Sequence, residues 1–132
     1  MQVFISYAHT PADAALAEHI AERLRNAGLT PWLDTAVLRG GTVLQEEIER
    51  AIDASDVGLF LVSTSWLNSR WTAFELAQFE RRAPQGTRRV PILRVPAQRV
   101  TLPPALIQLK YVEWRDDEGK AGRARVALNV VG

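Results

Sequence analysis

The run Val57-Gly58-Leu59-Phe60-Leu61-Val62-Ser63 constrains the fold of this chain more than any other segment. It is apolar at both parities, so as a strand it must be covered on both faces, as strands inside a parallel sheet are. Around it, short β-like runs alternate with helical patterns, the signature of βαβ units. Val3-Phe4-Ile5-Ser6-Tyr7 reads as the first strand and Pro31-Trp32-Leu33-Asp34 as a short second one. Arg88 to Val95 reads as the fourth, with Pro91 marking a strand start or a tolerated irregularity. A Pro-rich connector from Pro96 to Pro104 leads to a last strand near Tyr111-Val112-Glu113-Trp114.

The helices between them carry their own punctuation. Thr10 can cap the first, Pro11 fits its first position, Asp13 suits the positive end of its dipole, and Gly28 supplies the stop. Leu16, Ile20 and Leu24, with Ala17, Ala21 and Ala27, form its apolar face. A second helix spans about Thr42 to Ala54, with Leu44, Ile48, Ala51 and Ile52 on one side. A terminal helix places Ala124, Ala127, Leu128 and Val131 together. Five strands with helices between them predict a flavodoxin-like α/β three-layer sandwich. Its five-stranded parallel sheet is expected in the order 2-1-3-4-5, with helices on both faces.

At 132 residues the chain is expected to be a single domain, 1–132, large enough to bury a core without staples. The absence of cysteine removes disulfides, a thiolate nucleophile and thiolate metal sites. A net charge of +1 supplies no strong field for nucleic acid or an anionic membrane. No apolar run reaches the roughly 18 residues of a membrane-span candidate. The first residues lack a signal peptide's basic and long apolar regions. A cytoplasmic location is the expectation, with neither nucleic acid nor membrane as partner.

Fold alone does not decide function, so the loops and helix ends must. There is no G-x-x-x-x-G-K-[ST] and no G-x-G-x-x-G after a strand. A phosphoacceptor receiver would need an Asp after strand three and an acidic group after strand one; those places hold Ser63 and Ser6-Tyr7-Ala8-His9. No metal site is expected. His9 and His19 read as surface residues, and Arg81-Arg82 with Arg88-Arg89 as a solvated helix end rather than a nucleic-acid site.

The segment Ser69-Arg70-Trp71-Thr72-Ala73-Phe74-Glu75-Leu76 is different. Trp71 and Glu75 are four residues apart on a helix and share a face. Thr72, Leu76, Phe79 and Ala83 form the core stripe, with Trp71, Glu75, Gln78 and Arg82 on a neighbouring stripe at its edge. In open α/β sheets ligands sit beyond the carboxyl ends of the strands. A flat apolar wall beside a carboxylate there suits a planar cationic ring attached to a sugar.

These residues resemble a known family. Val3-Phe4-Ile5-Ser6-Tyr7 is similar to the opening strand of TIR (Toll/interleukin-1 receptor) domains. Leu33-Asp34, then Leu38 and Gly41, with Ile48 and Ala51-Ile52 following, resemble that family's second strand, BB loop and second helix. Trp71 and Glu75 match its W-x-x-x-E segment, and Phe74 just before the Glu looks like bacterial TIR enzymes that cleave NAD. Adaptor TIR domains often lack that Glu. The similarity runs from Val3 to about Ile92.

The resemblance implies NAD glycohydrolase or ADP-ribosyl cyclase activity, with NAD as substrate and no cofactor. The chemistry is compatible. Glycosidases use two carboxyl groups because the leaving oxygen must be protonated. Nicotinamide leaves a cationic pyridinium as a neutral molecule, so one carboxylate suffices to stabilise the oxocarbenium-like transition state. Glu75 is the candidate; the competing reading is a partly exposed helix Glu paired with Arg82 or Arg70. Trp71 and Phe74 could flank the nicotinamide or ribose, or pack on a neighbouring loop. Tyr7 could stack on a ring, and Ser6 could bond a ribose hydroxyl or be a satisfied strand residue. Asp34 could bond ribose or cap its loop. Leu38, Arg39, Gly40 and Gly41 resemble a BB loop that gates the pocket and joins homotypic TIR–TIR contacts, though a Gly pair also simply precedes helices. The implied role is a self-assembling NAD-cleaving enzyme, slow as a monomer, in bacterial antiphage defence, with a separate or fused sensor domain. A non-catalytic interaction module signalling through homotypic contacts, or a host-subverting effector, is the alternative.

Overall fold

The structure, a computed structural model, describes residues 1–33, 41–95 and 112–115, with 41–44, 89–95 and 112–115 described as backbone. Its elements run β1 (Gln2–Ser6), α1 (Pro11–Asn26), β2 (Thr30–Leu33), α2 (Gly41–Asp53), β3 (Val57–Val62), α3 (Thr64–Asn68), α4 (Arg70–Arg82), β4 (Arg88–Val95) and β5 (Val112–Arg115). The strands form one sheet in the order β2-β1-β3-β4-β5. Every pairing is parallel, with Ser6 opposite Phe60 between β1 and β3. This is the flavodoxin-like sandwich, in the expected order.

All six residues of β3 are buried, as a strand covered on both faces requires. Alternation divides its side chains, and those of β1, between two clusters. Val3, Ile5, Val57, Leu59 and Leu61 pack with Leu16, Ala17, Ile20 and Leu24 of α1. Phe4, Phe60 and Val62 pack on the other face with Ile48 and Ile52 of α2, Trp66 of α3, and Leu76 and Phe79 of α4. Gly58 lies under Phe79, whose ring occupies the space a Cβ would take.

The caps follow their chemistry. Thr10 Oγ1 accepts from the Asp13 amide at 3.2 Å, with Pro11 opening α1. Ala27 closes that helix, exposed rather than on its apolar face, and Gly28 follows at φ 85°, a conformation glycine adopts without strain. The sequence reading places no element between β3 and the Trp71–Glu75 helix. The structure has the short helix α3 there, because Ser63 leaves the strand and caps it, accepting from the Trp66 amide at 3.1 Å. Ser69 caps α4 in turn, accepting from Thr72 N at 3.3 Å. Asp34, Leu38, Arg39 and Gly40, the Pro-rich connector and the terminal helix lie outside the described residues. Gly41 opens α2. Among the described residues no helix is long and apolar enough to cross a membrane.

Candidate functional site

In a sheet of this order the chain reverses its direction of winding between β1 and β3, and ligand crevices open at the carboxyl ends of those strands. Ser6 ends β1, and Ser63 follows the last residue of β3. Both are buried, and each hydroxyl holds a carboxylate from a helix. Ser6 Oγ donates to Glu75 Oε1 at 3.0 Å, and Ser63 Oγ donates to Asp13 Oδ2 at 2.6 Å. The carboxylates come from opposite layers, Glu75 from α4 and Asp13 from the first turn of α1.

Glu75 is only 1% exposed. The expectation of an edge position is therefore corrected: Glu75 belongs to the buried stripe with Thr72, Leu76 and Phe79. It lies inward because Ser6 presents a hydroxyl where the rest of β1 on that face presents Phe4. The pairing with Arg82 is also set aside. Arg82 instead forms a bidentate pair with Asp53, at 2.7 and 3.2 Å. Hydrogen bonding to Asp53, reinforced by the charges of Asp53 and Glu49, raises the guanidinium pKa above its ordinary value.

Trp71 and Phe74 are half-buried and stack on each other, ring centroids 5.6 Å apart with planes 30° apart. Both border the cluster that contains Leu76 and Phe79, so the helix end that carries Glu75 also carries an aromatic pair. Tyr7 does not join them. It is 6% exposed and packs in the cluster on the α1 face, where β1's alternation sends it, with its ring edge-on to His9 at 5.0 Å. Of the expected substrate-binding residues, Ser6, Trp71 and Phe74 thus fall on Glu75's face of the sheet, and Tyr7 on the other. Asp34 and the loop residues Leu38, Arg39 and Gly40 are outside the described residues.

Two residues that sequence reading passed over are tied to these strand ends, Trp66 on Glu75's face of the sheet and Asp13 on the other. Trp66 donates its indole Nε1–H to Ser6 Oγ at 3.1 Å. Asp13 had been assigned only to the helix dipole, yet it is 1% exposed and bonded to Ser63. A signal for Trp66 existed: Ser63 and Trp66 have the three-residue spacing of an N-cap and the amide it serves. His9 and His19 are exposed, as expected. Arg81 and Arg88 are exposed too, consistent with a solvated helix end. Among the described residues no group of three or more His, Cys, Asp or Glu could hold a metal ion.

Among the described residues, open clefts also lie elsewhere. One, of about 280 Å³, is lined by Asp53, Ser55, Asp56 and Thr87 at the amino ends of β3 and β4. Another, of about 310 Å³, lies between Gln2, Trp32, Glu47 and Arg50. Neither is lined by Ser6, Trp66 or Glu75, and the first lies at the wrong end of the sheet for a ligand in this fold.

The family model described as a TIR domain matches residues 3–127. A 2′ cyclic ADP-D-ribose synthase of Bacteroides thetaiotaomicron is 33% identical over 73 residues, covering 55% of this chain and 25% of that protein. An NAD(+) hydrolase of Paracoccus denitrificans is 34% identical over 74 residues, covering 56% of this chain and 24% of that protein. The matched part is thus about a quarter of the length of these relatives. In shape the chain is similar to the crystal structure of the TIR domain of a Toll-related receptor from Hydra magnipapillata. The TM-score is 0.70 at 19% identity, covering 98% of this chain and 96% of that one.

Proposed function

We propose that this chain, which belongs to the TIR domain family, cleaves NAD between nicotinamide and ribose, with Glu75 as the carboxylate that carries the reaction. The observation that carries this reading is the burial of Glu75 against Ser6 at the carboxyl end of β1. Burying a carboxylate costs several kcal/mol, on the order of a small domain's whole margin, unless donors surround it. Such a residue on a helix's core stripe breaks the local rule for packing, and rule-breaking residues cluster at functional sites. The names of the bacterial relatives, an NAD(+) hydrolase and a cyclic ADP-ribose synthase, support the same chemistry.

In the reaction the bond from ribose C1′ to the pyridinium nitrogen breaks, and its electron pair leaves with neutral nicotinamide. The oxocarbenium-like ribosyl centre is stabilised by the Glu75 carboxylate. Water then adds to give ADP-ribose and a proton, or a hydroxyl of the same molecule adds to give a cyclic product, again with release of a proton. Trp71 and Phe74 supply aromatic faces near that carboxylate; cation–π attraction there is worth about 0.5–2 kcal/mol for a pyridinium. Residues 1–132 act as one TIR domain in the cytoplasm, working through homotypic assembly, with Leu38, Arg39, Gly40 and Gly41 as the loop that joins copies. Antiphage defence, triggered by a separate or fused sensor, is the setting this implies.

The test is direct. Concentrated protein, alone and under crowding, is incubated with NAD, and nicotinamide is followed by chromatography. Release by wild type and its loss in Glu75→Ala is the expected result. No release by either, even from a forced oligomer, sinks the enzyme reading in favour of a non-catalytic interaction module.

A further inference from the structure

Resting on that reading of Glu75, we infer that Trp66 is a positioning residue for the carboxylate, acting through Ser6. The indole Nε1–H lies 3.1 Å from Ser6 Oγ, and Ser6 Oγ lies 3.0 Å from Glu75 Oε1. An indole nitrogen can only donate, whereas a serine hydroxyl donates one hydrogen bond and accepts others. Trp66 therefore occupies an acceptor position on Ser6, and the one hydroxyl proton is directed at Glu75. The direction of this relay follows from the chemistry of its first member. Without the indole donor the hydroxyl would be free to rotate, and Glu75, whose terminal torsion is soft, would lose a fixed partner.

Trp66 is held well enough to play this part. It is 2% exposed, with its ring edge-on to Phe60 at 6.4 Å. Its amide donates to Ser63 Oγ, and its carbonyl accepts from the Thr72 hydroxyl. Ser63 is in turn bonded to Asp13, so α3 is tied to α1 behind it and to α4 ahead of it. Filling space beside Phe60 could be done by any large apolar ring. What the indole adds is one donor, and that donor is spent on the residue that holds Glu75.

Trp66→Phe keeps an aromatic ring and removes the donor; Ser6→Ala removes the intermediary. The relay predicts that each lowers kcat for NAD about tenfold while KM stays within about twofold, as for a group that fixes the reacting carboxylate rather than the substrate. It also predicts that Trp66→Phe adds nothing further in a Ser6→Ala background. A second readout needs no turnover. The chain has four tryptophans, and the Trp66 indole N–H resonance is assigned by its loss in Trp66→Phe. In Ser6→Ala that proton should move upfield as its acceptor disappears. If Trp66→Phe does not fold, the resonance is assigned instead by its nuclear Overhauser contacts to the Phe60 ring beside it, and Ser6→Ala carries the test. An unchanged kcat in Trp66→Phe, losses that multiply in the double variant, or an indole proton indifferent to Ser6→Ala would overturn the inference even while Glu75→Ala abolishes cleavage. If wild type does not cleave NAD, the reading of Glu75 falls by itself, and the indole shift alone decides whether the relay exists.

Discussion

Alanine at position 58 would set a methyl carbon against the ring of Phe79. A Cβ built on Gly58 lies 2.4, 2.7 and 2.9 Å from Phe79 Cζ, Cε2 and Cε1. Unstrained carbon pairs sit at about 3.5–4.0 Å, so ring and strand must separate by roughly 1 Å. There is little room for it. Phe79 is fully buried, with the Phe4 and Phe60 rings 5.8 and 5.3 Å away. Overpacking of this kind costs about 1–3 kcal/mol. The smaller freedom of alanine in the unfolded chain offsets about 0.4–1 kcal/mol of that. The net expectation for Gly58→Ala is a loss of about 1–2 kcal/mol.

Urea unfolding measures it: the midpoint should fall while the slope m stays constant. A double-mutant cycle checks the cause. Phe79→Leu alone should be destabilising, because it leaves a cavity, yet in the Gly58→Ala background it should cost markedly less. A Gly58→Ala protein as stable as wild type, or strictly additive effects in the double variant, would refute the steric argument. Glu75 lies one helical turn before Phe79 on α4, so NAD cleavage should fall along with stability. A misplacement of about 1 Å can cost on the order of a hundredfold in rate.

Two smaller perturbations test other parts of the fold. Thr10→Ala removes the acceptor for the Asp13 amide and should lower stability by about 1 kcal/mol in thermal or urea unfolding, with Thr10→Ser close to wild type. Arg82→Ala breaks the bidentate pair with Asp53 between α4 and α2. Because both partners are substantially exposed, the loss should be small and should shrink as salt is added; a large, salt-independent loss would mean that the pair is not acting by charge.

The sheet was legible because its signals are redundant. The apolar run of β3 could only be an interior strand, a cap and a stop marked α1, and an apolar face marked α2. Glu75 was legible as a candidate, from a four-residue spacing and a family likeness. Its burial was not. Helical periodicity places Glu75 at the margin of the apolar stripe, and only the identity of the facing residue, Ser6 instead of an apolar one, draws it inside. That pairing joins residues 69 positions apart, beyond the reach of any local pattern. Helix α3 was missed for a different reason. Five residues are too few to show a period, and Ser63 reads as the polar end of a strand until its cap is seen. Tyr7 was placed with the site by proximity in sequence, but one step along a strand is a step to the other face.

Two hydroxyls at the ends of adjacent strands, Ser6 and Ser63, each hold a carboxylate, and they do so for opposite layers of the sandwich. Trp66 touches both, by its indole N–H at Ser6 and by its backbone amide at Ser63. A shift of α3 would therefore strain both carboxylate contacts together. Coupling of this kind travels through contacts that share a member, and here the shared member is one side chain and its own amide. The short helix α3, the element least visible in the sequence, thus joins the two contacts whose acids the longer helices supply. Substitutions that remove the Ser63 hydroxyl should reach Glu75 without touching it, because they release the Trp66 amide together with Asp13.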